Sequence, residues 1–159
     1  MTGEDAMTTD IVTATKTALC GELEILRDAV KTLAEPLTEA QFWRKPIEPG
    51  NSFGHLVLHL TGNLSHFAGA RLGKTGYVRE REREFTEPNP PTKAEAMARL
   101  DEAVAVYRRV VEALPSEEFL AAHPDAMMGT VINGLVRLVA HFALHRGQMS
   151  YIARFVQQQ

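Results

Sequence analysis

Residues 130–156 read TVINGLVRLVAHFALHRGQMSYIARFV, and large side chains recur in this stretch at alternating steps of three and four. An α-helix has about 3.6 residues per turn, so these steps place the side chains on one face. The stretch therefore predicts a long helix with one buried face. That face carries Leu135, Leu138, Phe142, His145, Met149, Ile152 and Val156.

Three further segments show helical periodicity. Asp10 is the predicted N-cap of the first, which ends before Pro36, and Thr92 and Glu95 have the spacing of a capping box at the start of the third. No segment alternates over enough residues to predict a strand. The sequence predicts an all-α protein, a four-helix bundle with a long crossover between helices two and three. The three segments cover residues 10–34, 52–72 and 92–114.

The length and composition exclude several classes of protein. A chain of 159 residues fits one domain, which we place at 10–157 behind a flexible segment, 1–9. The net charge of −3 gives no basic surface for nucleic acid, and a single cysteine excludes a disulfide framework. No apolar run suits a signal peptide or a membrane span. We therefore predict a cytoplasmic protein that binds neither nucleic acid nor membranes.

A short sequence echo relates the two halves of the chain. LTEAQF at residues 37–42 follows helix one, and LPSEEF at residues 114–119 follows helix three, at an offset of 77 residues. Each segment predicts a capped turn whose phenylalanine packs against the end of the bundle. Duplication of a helix–turn–helix unit and a chance match both stay open.

Two of the six histidines lie four residues apart on the fourth helix. His141 and His145 lie about one turn apart, on the same side as Leu138 and Phe142, so one metal ion can contact both. Two core histidines bonded to carbonyl groups would show the same spacing. The cost of burying an unpaired imidazole favours the metal.

The second helix supplies candidates for a third ligand. His55, His59 and His66 recur beside its leucine face, and one of them can meet the helix-four pair across the core. Asn63, one turn after His59, can bond a ligand or a metal-bound water. We expect His66 near the surface and His123 in a loop without an obvious partner.

A carboxylate-bridged dinuclear centre is not expected, because such centres in bundles use inward Glu residues and Glu-x-x-His pairs. The residues three positions before the helical histidines are all non-acidic. They are Ser52, Leu56, Asn63, Leu138 and Phe142.

The crossover, residues 73–91, contains alternating charges from Arg79 to Glu84, followed by Phe85. The interpretation we favour is a solvated arm or an extra helical turn with compensated charges. In the alternative, Phe85 or an arginine closes over a pocket, since connections of this length are often functional.

The motifs on helices two and four together resemble a known family. NSxxHLxxHLxGN begins at Asn51 and HxxxHRGQ begins at His141. A four-helix chain with both motifs is similar to the DinB-like (YfiT-like) superfamily of metal-dependent enzymes, and the resemblance extends from helix one to Phe155. It implies one divalent metal ion held by His59, His141 and His145.

The roles of the neighbouring polar residues stay open. His55 is a surface residue or supports a ligand, in preference to being a fourth ligand. Arg146 either binds a substrate carboxylate or faces solvent. Gln148 either supports a ligand imidazole or faces a second subunit. With Asn63, these are the candidate supporting residues, and no catalytic residue is assigned.

Three neutral imidazoles leave a divalent ion with its full charge and an open position, which is typical of catalytic zinc sites. Imidazole ligands suit zinc or nickel, and also iron. The resemblance implies a small-molecule substrate and either thiol S-transfer, which joins a low-molecular-weight thiol to an electrophile, or hydrolysis. The inward faces carry no acid, which favours thiol transfer, because hydrolysis generally needs a Glu base. The alternative is a non-catalytic metal-binding or stress-related bundle.

The resemblance also implies a homodimer. Four apolar residues outside the predicted core faces of helices one and three could form the contact. They are Ile25, Ala29, Val106 and Val110.

Overall fold

The computed structural model describes the backbone of residues 3–158 and the side chains of residues 10–158. The protein is an all-α bundle, and this part of the chain contains no strand, only an isolated bridge between Ala122 and Thr130. Across the same residues, no helix has both the length and the apolar character that a bilayer crossing requires. The elements are α1 (Gly3–Ala34), α2 (Glu39–Trp43), α3 (Phe53–Leu64), a π-helix (Ser65–Leu72), α4 (Arg83–Thr86), α5 (Lys93–Ala113) and α6 (Val131–Gln157).

The later helices begin where the sequence predicts. The Thr92 hydroxyl accepts the N–H of Glu95 while the Glu95 carboxylate accepts the N–H of Thr92, which completes the capping box of α5. Thr130 caps α6. The first helix differs, because Asp10 lies inside α1 instead of capping it. Residues 4–9 contain no proline or glycine, so nothing in this segment prevents the helix from beginning before Asp10.

The domain boundaries, 10–157, and the flexibility of residues 1–9 stay predictions, and residues 1 and 2 lie outside the described residues. Around the core, α1 packs against α5 and α6, and α3 packs against the same two helices. This arrangement places α3 directly beside α6. The two helices that carry the histidine motifs are therefore neighbours.

The second predicted helix changes its winding after α3 and continues as the π-helix. A Cβ on Gly73 would overlap Val110, so this glycine allows the end of the π-helix to approach α5 closely, and Gly69 faces Val106 at ordinary contact distance. Val106 and Val110 lie beside the π-helix and are half-buried. The proposed contact surface on α1 and α5 stays a prediction, and its Ile25 is 63% exposed.

The homodimer itself stays a prediction. We expect a mass near twice that of one chain in light scattering at micromolar concentration. A monomer mass that does not change with concentration would contradict it.

Two lysines make equivalent contacts in the two halves of the chain. Lys16 Nζ donates to carbonyl groups at the end of α5, and Lys93 Nζ, 77 residues later, donates to carbonyl groups at the end of α1. A lysine at a helix C-terminus satisfies free carbonyls and suits the helix dipole. Phe42 and Phe119, which end the sequence echo, are both buried. These paired contacts favour the duplication interpretation.

Replacing Tyr107 by phenylalanine is expected to stabilise the protein. Tyr107 is 0% exposed, and its hydroxyl has no hydrogen-bond partner among the described residues. An unsatisfied buried hydroxyl costs about 1–3 kcal/mol, so its removal should raise the free energy of unfolding by about 1 kcal/mol. Urea denaturation of Tyr107→Phe beside the wild type measures the change. A loss of stability would show that the hydroxyl has a partner.

Candidate metal centre

Three imidazoles converge between α3 and α6. His59 on α3 is 6% exposed, and His141 and His145 on α6 are partly buried. The Nε2 atoms of His59 and His141 are 2.9 Å apart, and one nitrogen from each of the three rings lies within 4.8 Å of the others. The structure therefore brings together the three histidines that the family resemblance implies.

Hydrogen bonds on the far side of two rings determine which nitrogen faces the centre. His59 Nδ1 donates to Glu84 Oε2 at 2.8 Å, and His145 Nδ1 donates to Gln148 Oε1 at 2.7 Å. Carboxylate and amide oxygens only accept, so each neutral ring carries its proton on Nδ1. The unprotonated Nε2 of each ring is then available as a ligand atom.

This donor set fits a divalent transition metal ion. A tetrahedral ion with metal–nitrogen bonds of about 2.1 Å separates its ligand nitrogens by about 3.4 Å. The 2.9 Å between His59 and His141 is within a small side-chain rotation of that value. Among the described residues, the group contains neither a carboxylate nor a thiolate. An ion held by these rings keeps its full charge.

Burial keeps two of the rings neutral. Burial, together with the neighbouring His145 and His59, lowers the pKa of His141 to about 4. Burial also lowers the pKa of His145, although the hydrogen bond to Gln148 opposes the change. Metal binding requires neutral imidazoles. Both rings therefore meet that requirement at neutral pH.

A carboxylate that the sequence analysis missed lies beside the centre. Glu84 comes from α4 in the crossover and is 6% exposed. Arg79 Nε and Nη2 donate to its two oxygens at 2.6 and 2.9 Å. Burial would raise the pKa of Glu84, but the hydrogen bonds from His59 and Arg79 outweigh it and lower the pKa. The two helices that carry the three histidines, α3 and α6, contain no acid, but Glu84 of the crossover places one beside the centre.

The crossover approaches the core at Phe85. Its ring centroid lies 5.0 Å from that of His59, and the Arg81 guanidinium lies 5.7 Å from the centre of the Phe85 ring. The favoured interpretation is confirmed in part, because α4 is an extra helical turn whose Arg83 pairs with Glu80 and Glu87. A solvated arm is wrong for Arg79, Glu84 and Phe85, which are buried or half-buried, whereas the other charges of the run are exposed. One aromatic residue directly after six alternating charges was the available signal that this turn faces inward.

His55 supports the start of α3 and is not one of the converging ligands. Its Nδ1 accepts the N–H of Ser52 at 3.2 Å, and its own N–H donates to Ser52 Oγ at 3.1 Å. The ring also packs on Trp43, with 5.8 Å between centroids. These contacts form a capping box, so the residue order Ser-x-x-His was a helix-start signal.

The other candidate residues differ in their surroundings. Gln148 contacts a converging ring directly, through His145. Asn63 is partly buried, and Arg146 is exposed and forms no ion pair within the described part of the chain. Their functional roles stay proposals.

The two remaining histidines lie outside the converging group. His66 is on the π-helix and is partly buried, with its ring 4.7 Å from that of Phe67. His123 lies in a loop, as expected, but the expectation that it has no partner is wrong for its Nδ1. It is 4% exposed, and its Nδ1 accepts the N–H of Asp125 at 2.9 Å.

A cavity of about 810 Å³ lies between the crossover, α3 and α5. Glu84 and Gly62 line it, but none of the three converging histidines does. Glu84 therefore contacts both the cavity and His59.

Fold and centre together define a DinB-like helical bundle with a three-histidine group that can bind a divalent metal ion. A family model described as mycothiol-S-transferase matches residues 18–155. The chain belongs to the mycothiol-S-transferase family. This confirms the resemblance found from the two histidine motifs, and it indicates a metal-dependent role of the thiol-transferase kind.

The fold is similar to a solved structure, that of a conserved protein from Enterococcus faecalis. The TM-score is 0.73 at 15% sequence identity, over 91% of this chain and 98% of the other. At this identity the likeness shows the fold alone. A comparison with curated proteins gives no match.

Proposed function

We propose that the protein is a metal-dependent transferase that joins a low-molecular-weight thiol, of the mycothiol kind, to a small electrophile. The observation that carries this proposal is the convergence of three imidazoles on one point without a carboxylate ligand. A bound divalent ion, zinc or nickel with iron as a third candidate, supplies positive charge that stabilises the thiolate form of the substrate.

The side chains of this protein provide the metal ligands, orient them and exclude water from one side of the centre. His59, His141 and His145 provide the ligand nitrogens. Glu84 and Gln148 each accept a ring N–H and so fix the orientation of two ligands. Phe85 lies against the His59 ring and excludes water from that side.

Two other side chains are candidates for substrate binding. Arg146 directly follows a ligand and is exposed, so its guanidinium can bind a carboxylate of the thiol or of the electrophile. Asn63 lies one helical turn after His59 and can donate or accept a hydrogen bond.

The position of Glu84 favours transfer over hydrolysis. A metal-assisted hydrolase generally needs a free carboxylate to take a proton from water. Glu84 is the buried carboxylate nearest the centre, but both its oxygens are bound by Arg79 and His59. It is therefore not available as a general base.

The non-catalytic alternative is a bundle that metal stabilises. Chelation distinguishes the two, because a structural metal contributes to folding directly. The core contains large buried side chains from α1, α3, α5 and α6, so we expect the metal-free protein to stay folded. We keep the cytoplasmic location as a prediction.

The function is tested by metal analysis of the untreated protein, followed by thiol conjugation. We expect close to one zinc or nickel ion per chain. The metal-loaded protein should accelerate conjugation of mycothiol to monochlorobimane, and the chelator-treated protein should not. His66→Ala is the matched control and should keep the activity. A metal-loaded protein that conjugates no thiol to any of a panel of electrophiles would overturn the proposal.

A further inference from the structure

The Glu84 carboxylate occupies a space that several residues form together. Arg79 and His59 bind its two oxygens. Gly62 on α3 leaves room for it, because a Cβ at that position would overlap Glu84 Oε1. The Arg79 guanidinium lies 5.9 Å from the centre of the Phe67 ring. The carboxylate is thus fixed by charge, by hydrogen bonds and by shape.

Stability alone does not account for this arrangement. A buried ion pair adds little net stability, because the loss of hydration offsets the attraction between the charges. The Arg79 and Glu84 side chains are only 11% and 7% exposed, whereas the Arg83–Glu80 pair on the same crossover is 59% and 64% exposed. The buried pair is the one that contacts His59. Its position therefore indicates an effect on that ring.

We propose that Glu84 is a positioning residue that sets the metal affinity of the centre through His59. The carboxylate holds Nδ1–H, which directs Nε2 at the other two rings and makes Nε2 a stronger donor. The inference rests on the proposed three-histidine centre. It adds that the crossover, which lies outside the four long helices, controls how tightly that centre binds its ion.

The coupling between Glu84 and the metal must act in both directions. If the Glu84–His59 contact increases metal affinity, bound metal strengthens that contact by the same factor. We therefore expect slower amide hydrogen exchange across residues 79–87 when the metal is bound. The exchange measurement requires no enzymatic assay.

The first test compares Glu84→Gln with Glu80→Gln. Both remove one negative charge from the crossover, but only the first contacts a ligand. Zinc and nickel affinities are measured on the full chain by competition with a chromogenic chelator. We expect Glu84→Gln to bind metal about 10–100-fold more weakly, and Glu80→Gln to match the wild type. Metal-dependent protection of residues 79–87 should be lost in Glu84→Gln alone.

The second test is Gly62→Ala, which leaves every charge in place. The added methyl group overlaps the position of Glu84 Oε1 and therefore displaces the Glu84 carboxylate. Alanine forms helices better than glycine, so α3 should fold. We expect a similar loss of affinity. A folded Glu84→Gln or Gly62→Ala protein with wild-type affinity would overturn the positioning role, even if it melts earlier, and would leave the three-histidine centre intact. A wild-type protein that binds neither metal would overturn both proposals.

Discussion

We expect replacement of His59, His141 or His145 by alanine to remove the bound metal, and with it any transferase activity, while the protein stays folded. Each ring provides one of three ligand nitrogens within 4.8 Å of each other, and no neighbouring carboxylate or thiolate belongs to the group among the described residues. The loss of one ligand therefore leaves only two, which hold a divalent ion weakly. Metal analysis after gel filtration, with circular dichroism as the test of folding, measures the result.

Two further histidine variants provide the controls. His66→Ala should retain the metal, because His66 lies outside the converging group. His55→Ala should also retain it, with a stability loss of about 1 kcal/mol from the capping box. If His55→Ala loses the metal and His59→Ala keeps it, the register of α3 is wrong. His123→Ala is unsuitable as a neutral control because the ring is buried.

Acid should release the metal at a lower pH than ordinary imidazole ligands would allow. From sequence alone we predict a loss of affinity through about pH 6, near the usual pKa of histidine. Burial and the neighbouring rings lower the pKa of His141 to about 4, and burial lowers that of His145. Protons therefore compete less well for these two nitrogens. Metal retained after equilibration between pH 7 and pH 4 measures the midpoint, which we expect below 6.

The lowered pKa of His141 also makes the metal-free protein less stable in acid. Below about pH 6.5 the unfolded chain protonates His141, whereas the folded protein keeps it neutral down to about pH 4. The unfolded state then binds more protons, so the free energy of unfolding falls as the pH falls through this range. His141→Gln should show a shallower dependence in urea denaturation at pH 7, 6 and 5. Parallel curves for variant and wild type would contradict the assignment.

The bundle could be predicted from sequence because helical periodicity and capping are local properties. The Thr92–Glu95 box and the long apolar face of α6 specify their helices within a few residues. The early start of α1 and the π-helix were missed. Asp10 is a good capping residue, but it lies inside α1 because no helix-breaking residue directly precedes it.

Some residues of the candidate site could likewise be predicted from sequence, and others could not. The sequence by itself determined that His141 and His145 lie on one side of α6, because a four-residue spacing on a helix places two side chains on one side. His59 came from the resemblance of its motif to a family. Only the tertiary structure decided that His59, and not His55, meets the pair, and that Glu84 binds the far side of its ring. Those contacts depend on how α3 sits against α6 and on the path of a crossover 25 residues further along the chain, which no local pattern specifies.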